Sequence, residues 1–442
     1  MNSFLILLNF SLILFLLGFE LLFRRRDLFY PTSLFLLFSL IVSFVSLYFV
    51  FVPAALYQAV GESSERYSFV SEMLLVYVCV NLLVYLSFRF FMALRLTINF
   101  PGFSDFARDL FLATRNGKNA SLFFLFLSII LFFCFIEKVG GLGEILANIS
   151  ARQDVYAGSG YLMEMSIISM QFFSVSSYYK LYSFNRLISF VIVFIAAGLL
   201  LLLGSRMAVF GLIFMVLTVH HFMIKPFCFR MIYVPLFLFS IFLAIMIGDL
   251  RSSGSFGFEG LRNHPKEGFG IEALAKKLMP YTMTIQRDST ILSYFDSNEY
   301  WYGKSYISIL TAPIPRVFYS EKPPVDTGRY VVAMHRGDVF MPPVASDDLP
   351  NYGWPPSYME GYMNFGYFGL FFGVVVSVGF VSFVYKLALL KPSIPLLILY
   401  SSLMFRNSFY FSSLGFVSTL TLIVFVMAIA YSVKFFRRIK FL

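Results

Sequence analysis

Long apolar runs, interrupted at nearly regular intervals by a few polar residues, dominate this 442-residue chain. Eleven blocks nearly free of Lys, Arg, Asp and Glu run approximately over 4–23, 31–52, 68–91, 119–137, 163–183, 187–204, 207–224, 231–248, 362–385, 393–409 and 411–433. Each is close to the about 20 residues that an α-helix needs to cross a hydrocarbon core of about 30 Å. The pattern predicts an all-α polytopic integral membrane protein with about 11 transmembrane helices, because a helix satisfies its own backbone hydrogen bonds in lipid. Eight spans with short loops fill 1–249, one large, partly helical loop domain fills 250–361, and three spans with a basic tail fill 362–442. The first block is followed by Arg24, Arg25 and Arg26 rather than by a small-residue cleavage site, so it reads as a retained span.

Composition narrows the class. Only 13% of residues are charged, against about 25% in a soluble domain. This excludes a soluble multidomain enzyme, a disordered chain and a coiled coil. Cys79, Cys134 and Cys228 sit in or beside apolar blocks without a partner at metal-ligand spacing, which suggests packing residues and neither a disulfide framework nor a zinc site. The net charge of +10 follows from topology. If Arg24 to Arg26 lie inside, 18 basic residues fall in inside loops and the tail, whereas Arg66, Lys138, Arg152, Arg206 and Arg406 fall in the short outside loops. The N-terminus is then outside and the C-terminus inside, and no nucleic-acid partner is needed to explain the charge.

The long loop holds the other 11 basic residues against 12 acidic ones and exceeds the roughly 60 residues over which the orientation rule applies, so it reads as a translocated domain. Residues 271–296 carry apolar side chains at helical spacing, among them Leu274, Leu278, Tyr281 and Ile285. The later half is Pro-rich and expected to be irregular, since proline removes an amide donor and restricts the residue before it. No internal repeat is visible, which weakens the case for a transporter built from symmetric halves.

Arginines at the outer face are the first chemical clue, because a guanidinium grips phosphate through two parallel hydrogen bonds. Arg152 lies in the glycine-containing loop from Ser150 to Gly160, Arg206 ends the tight connection Gly204-Ser205-Arg206, Arg316 follows a Pro-rich turn and precedes Lys322, and Arg406 interrupts a long uncharged stretch. The plainer alternatives are snorkelling anchors for Arg206 and Arg406, and a solvated pair with Asp154 for Arg152. Glu360 stands where the loop re-enters the membrane, with Asn364 four residues on and on the same helical face, so the two can share a sugar hydroxyl. Partial desolvation there suits a general base, while a helix-dipole acid is the simpler reading. Gly366, Gly369 and Gly373 suggest close helix packing. His220 and His221 read as interfacial, and neither His264 nor His335 has a second ligand at i+3 or i+4; His335 is a secondary base candidate.

The arrangement resembles the O-antigen polymerase family, the Wzy-type oligosaccharide repeat-unit polymerases of bacterial inner membranes. The likeness lies in ten or more spans, a large late outside loop and high Phe and Leu content, together with local motifs. These are Gly204-Ser205-Arg206; Arg152 with Tyr156 and Gly158; Pro315-Arg316 through Lys322-Pro323; and Glu360-Gly361-Tyr362-Met363-Asn364-Phe365-Gly366.

The resemblance implies a GT-C-like polymerase or ligase architecture and a metal-independent glycosyltransferase with no cofactor. The growing glycan on undecaprenyl pyrophosphate is the donor, a second undecaprenyl-pyrophosphate-linked repeat unit is the acceptor, and transfer takes place at the periplasmic face of the inner membrane. Membrane lipid and a chain-length regulator protein are the further partners. It implies pyrophosphate or glycan binding by Arg152, Arg206, Arg316 and Lys322, with Arg287, Arg406, Tyr156 and Asn364 as further contacts, and catalysis by Glu360 or His335. No Asp-x-Asp pair and no Gly-x-x-x-x-Gly-Lys-Ser/Thr loop occurs, so neither a nucleotide sugar nor ATP is implied. The alternatives are an O-antigen ligase, for which a histidine in the large loop is expected, and a lipid-linked oligosaccharide flippase or transporter, which needs charges along a mid-membrane path.

Overall fold

Helices occupy ten of the eleven apolar blocks in the computed structural model, which describes residues 1–23, 29–52, 56, 64–94, 118–147, 160–203, 206–226, 284–314, 316, 318–350, 353–354, 358–390, 392–405 and 412–439. The block at 231–248 lies outside the described residues. The described residues are predominantly helical, with no strand among them. Among the described residues, five helices are long and apolar enough to cross a membrane: Asn2–Leu22, Pro31–Phe51, Arg66–Ala93, Met207–Ile224 and Met359–Leu390. The apolar helices Arg186–Leu201, Ile394–Phe405 and Ser413–Phe425 are shorter. The protein is thus a helical membrane protein by length and hydropathy.

The chain divides into two compact units, one of Met1–Ala93, Cys228–Ser382 and Ser408–Val417, the other of Leu94–Phe227, Phe383–Asn407 and Ser418–Leu442. In the first unit the Asn2–Phe23, Pro31–Ser46 and Val70–Ala93 helices pack together. Apolar side chains give little drive for association in lipid, so buried polar groups that find partners across helices matter more. Asn9 Nδ2 donates to Ser43 Oγ at 3.1 Å, and Asn81 Nδ2 donates to Asn9 Oδ1 at 2.9 Å, linking all three helices. At the other end Glu20, buried, accepts from Arg89 and from the Tyr85 hydroxyl, both at 3.2 Å.

In the second unit the Gly160–Tyr182 helix packs against Lys118–Lys138, Arg186–Leu202 and Arg206–Val219. Gln171 Nε2 donates to the Ala208 carbonyl at 2.9 Å, and the rings of Phe124, Phe172 and Phe425 cluster at 5.6–6.0 Å. His220 and His221 are buried, in a π-turn that ends the Arg206–Val219 helix, where the Tyr178 hydroxyl meets His220 Nδ1 at 2.8 Å. Cys79 and Cys134 are free thiols that face outward instead of filling the core, Cys79 in the first unit and Cys134 in the second.

Two expectations change in detail. The Pro-rich half of the long loop contains the regular helix Gly328–Arg336, started at Gly328, where the backbone passes so close to Trp354 that a Cβ would stand 1.8 Å from its carbonyl oxygen. The ninth apolar block is not one straight span: Met359–Leu390 breaks at Phe365 (φ −142°, ψ 23°) and Gly366 (φ 62°, ψ −152°), a combination that needs glycine at the second position. Gly361 and Gly369 meet across that break. A Cβ on either would come within 2.5 Å of the other's carbonyl oxygen, so they pack the chain on itself, where close packing between spans was expected.

Candidate functional site

The helix break frees carbonyls that an intact helix would use, and a neighbouring turn takes them. The Trp301 and Tyr302 amides donate to the carbonyls of Met363 and Asn364 at 2.9 and 3.0 Å, and the Gly303 amide donates to Asn364 Oδ1 at 2.9 Å. Asn364 Nδ2 donates to Ser305 Oγ and to the Glu360 carbonyl, both at 2.8 Å. Trp301 is fully buried against Phe295, Tyr330 and Phe340, which fixes the turn from its other side.

Glu360 sits at the centre of this junction with no exposed surface. Its Oε1 accepts from Ser305 Oγ at 3.2 Å and from the Ser413 hydroxyl; its Oε2 accepts from Thr327 Oγ1 at 3.1 Å and from the Ser413 amide at 2.8 Å. Ser413 opens the Ser413–Ile439 helix, so the carboxylate caps a helix N-terminus whose dipole favours negative charge. Thr327 precedes the Gly328–Arg336 helix and spends its hydroxyl on Glu360 instead of capping that helix. One carboxylate thus ties three segments together, with its acceptor positions occupied. Asn364 is drawn into the same network, bound to Ser305, Gly303 and the Glu360 backbone.

A second cluster is basic. Arg329 wraps a loop: its Nε donates to the Pro350 carbonyl at 2.6 Å, Nη1 to Ser346 Oγ at 2.8 Å, and Nη2 to the carbonyls of Ser346 and Leu349 at 2.6 and 3.0 Å. Lys322 is buried, and its ammonium holds the carbonyls of Ala312 and Ile314 at 2.6 and 2.9 Å. Burial first, and the Arg316 charge second, lower its affinity for a proton. Arg316 shares Ser346 Oγ at 2.6 Å and stands 3.7 Å from the Asp347 carboxylate. These two side chains are 52% and 89% exposed, so that ion pair is weak and yields readily to a stronger anion.

A third group surrounds His335 at the end of the Gly328–Arg336 helix. Arg66 donates to His335 Nδ1 at 2.8 Å and to its carbonyl at 2.9 Å; Thr290 Oγ1 lies 3.3 Å from the same Nδ1, and the Trp354 ring is 5.1 Å away. An arginine donor requires a lone pair on Nδ1, so the ring is neutral here, with its proton on Nε2. Burial and the Arg66 charge both push its pKa below 6.5. One helix away, Arg287 is buried in a pair with its neighbour Asp288, at 2.7 Å through Nε and 3.2 Å through Nη2, and the Tyr77 hydroxyl donates to the same carboxylate at 2.7 Å. Burial opposes the Arg287 charge, but the Asp288 carboxylate outweighs it and holds the guanidinium protonated.

Of the residues singled out from the sequence, the first unit brings Glu360 and Asn364 into one network and places Arg316 with Lys322. Arg206 opens the Arg206–Val219 helix of the second unit. Arg152, Tyr156 and Arg406 lie outside the described residues. Sequence reasoning missed Arg66, Ser305, Thr327, Arg329 and Ser413, and no local spacing marks them, because their partners are 17 to 269 residues away. Among the described residues no three His, Cys, Asp or Glu side chains are grouped so as to hold a metal ion. The chain matches no protein-family model, no curated protein and no solved structure.

Proposed function

We propose that this protein is an O-antigen polymerase, a metal-independent glycosyltransferase of the bacterial inner membrane with its N-terminus periplasmic and its C-terminus cytoplasmic. It transfers the growing glycan from undecaprenyl pyrophosphate to the non-reducing end of a new lipid-linked repeat unit at the periplasmic face. The observation that supports this reading most is the basic cluster at Arg316. Lys322 spends its donors on two backbone carbonyls and Arg329 on three carbonyls and the Ser346 hydroxyl, while the Arg316 guanidinium is half exposed and only weakly paired.

In such a transfer the bond between the anomeric carbon and the pyrophosphate oxygen breaks with its electron pair going to pyrophosphate, and the acceptor hydroxyl oxygen bonds the same carbon as its proton passes to the departing pyrophosphate. A preorganised guanidinium stabilises the departing charge, and the neighbouring cations raise the local potential without reorganising. In this reading Arg316 contacts the pyrophosphate, and Arg152, Arg206, Arg406 and Tyr156 are substrate-contact candidates from the sequence alone. Glu360 holds the junction together, and a chain-length regulator is the protein partner.

The lipopolysaccharide ladder of a strain lacking the gene tests the reading. A core bearing a single repeat unit is expected, with the ladder restored by wild type and reduced about 100-fold with Arg316→Ala, the loss typical of one preorganised donor. A full ladder without the gene would refute it. The second reading, an O-antigen ligase, draws on His335, whose neutral ring is held by Arg66; it requires that deletion strip all glycan from the core. Accumulation of repeat units on the inner face would indicate a flippase.

A further inference from the structure

Glu72 lies in the first turn of the Val70–Ala93 helix with its carboxylate exposed, and the Tyr367 phenol donates to it. Tyr367 is the residue directly after the Phe365–Gly366 break, 37% exposed, with its ring 5.0 Å from that of Tyr362. The Tyr362 ring stands edge-on to Tyr300 at 5.7 Å. Phe295 stacks on Tyr300 at 5.6 Å and 13°, and Phe371 lies alongside Tyr367 at 6.2 Å and 21°. Three phenols and one carboxylate from three segments of chain therefore converge at the start of two apolar helices.

Tyrosines of an ordinary interfacial belt turn their hydroxyls singly toward headgroups. Here the Tyr367 hydroxyl turns to Glu72, whose partner among the described residues is a phenol and not a cation. A carboxylate repels an anionic ligand and serves no purpose for an apolar one. A polyhydroxylated ring fits: its hydroxyls donate to the carboxylate and exchange hydrogen bonds with the phenols, and its C–H face packs on an aromatic ring. Glu360 cannot fill this role while its acceptor positions are occupied, whereas Glu72 is open to one side.

The geometry points to a carbohydrate-binding subsite made by Glu72, Tyr300, Tyr362 and Tyr367. Resting on the polymerase reading, it holds the acceptor sugar, with Glu72 accepting a hydrogen bond from a ring hydroxyl. The test uses the full chain in nanodiscs and the oligosaccharide released by mild acid from the lipid-linked repeat unit of the source strain. Saturation-transfer NMR reads its binding.

Wild type is expected to bind, and Glu72→Gln and Tyr367→Phe to bind about tenfold more weakly, the effect of one lost charged hydrogen bond. Glu72 is exposed, so its substitution leaves the fold intact, and Tyr367→Phe removes the same bond from the other side. Failure of wild type to bind, or wild-type binding by both variants, overturns the subsite. Binding that depends on Glu72, in a protein whose deletion leaves the ladder unchanged, would uphold the subsite and refute the polymerase.

Discussion

Replacing Glu360 separates a structural anchor from a general base. Glu360→Ala removes the acceptor for three hydroxyls and for the Ser413 amide, all in a site without solvent. The hydroxyls can rotate toward other acceptors, but the amide cannot. Unsatisfied buried donors cost about 1–3 kcal/mol each, and relief of the buried charge offsets part of that, so the net loss is about 3 kcal/mol. Against a total stability of roughly 5–15 kcal/mol this is a large fraction. It should lower the thermal midpoint of the full-length protein by about 5 °C or more, read by fluorescence-detected size exclusion after heating. Glu360→Gln keeps one oxygen for the Ser413 amide and Thr327, while its NH2 meets hydroxyls that can turn to accept, for a loss of about 1 kcal/mol. The glutamine variant should therefore remain folded and support the ladder, and the alanine variant should be depleted from the membrane. An alanine variant as heat-stable as wild type would refute the anchoring argument, and a folded but inactive glutamine variant would restore Glu360 as a base.

Gly369→Ala brings a Cβ to 2.3 Å from the Gly361 carbonyl oxygen, so the helix break cannot close and the variant should not reach the membrane as folded protein on size exclusion. Asn81→Leu unties the link to Asn9 within the lipid-embedded helices and should destabilise by about 1 kcal/mol, seen as a shift of a few degrees in the same heating assay. His335 has its pKa lowered by burial and Arg66, so the unfolded chain binds more protons than the native one just below pH 6.5; stability present above that pH is lost as pH falls through the native pKa. The thermal midpoint of wild type should therefore fall between pH 7.5 and 5.5 by more than that of His335→Asn, and equal falls would remove His335 from the acid response.

Much of the site was not legible in sequence. Lys322 reads as an anion-binding neighbour of Arg316, yet its ammonium turns inward onto two carbonyls of its own loop, and nothing in the spacing from 316 to 322 distinguishes these orientations. Arg66 reads as a stray charge in a short loop, but it clamps a histidine 269 residues away. Glu72 and Tyr367, 295 residues apart, carry no joint signal along the chain. Asn364 reads as sharing a helical face with Glu360 and does bond to it, through the Glu360 carbonyl.

The apolar blocks by themselves determined that the chain is helical and membrane-embedded, because the transfer of about 20 consecutive residues into hydrocarbon is a local sum and each helix satisfies its own backbone. They also placed Glu360 at the mouth of the ninth block. Only the tertiary structure decided that the block breaks at Gly366, that the freed carbonyls are taken by residues 301–302, and that the Glu360 carboxylate is consumed by Ser305, Thr327 and Ser413. The reason is that a buried polar group must find partners wherever folding brings them. Those partners are chosen by three-dimensional proximity, which local periodicity does not encode.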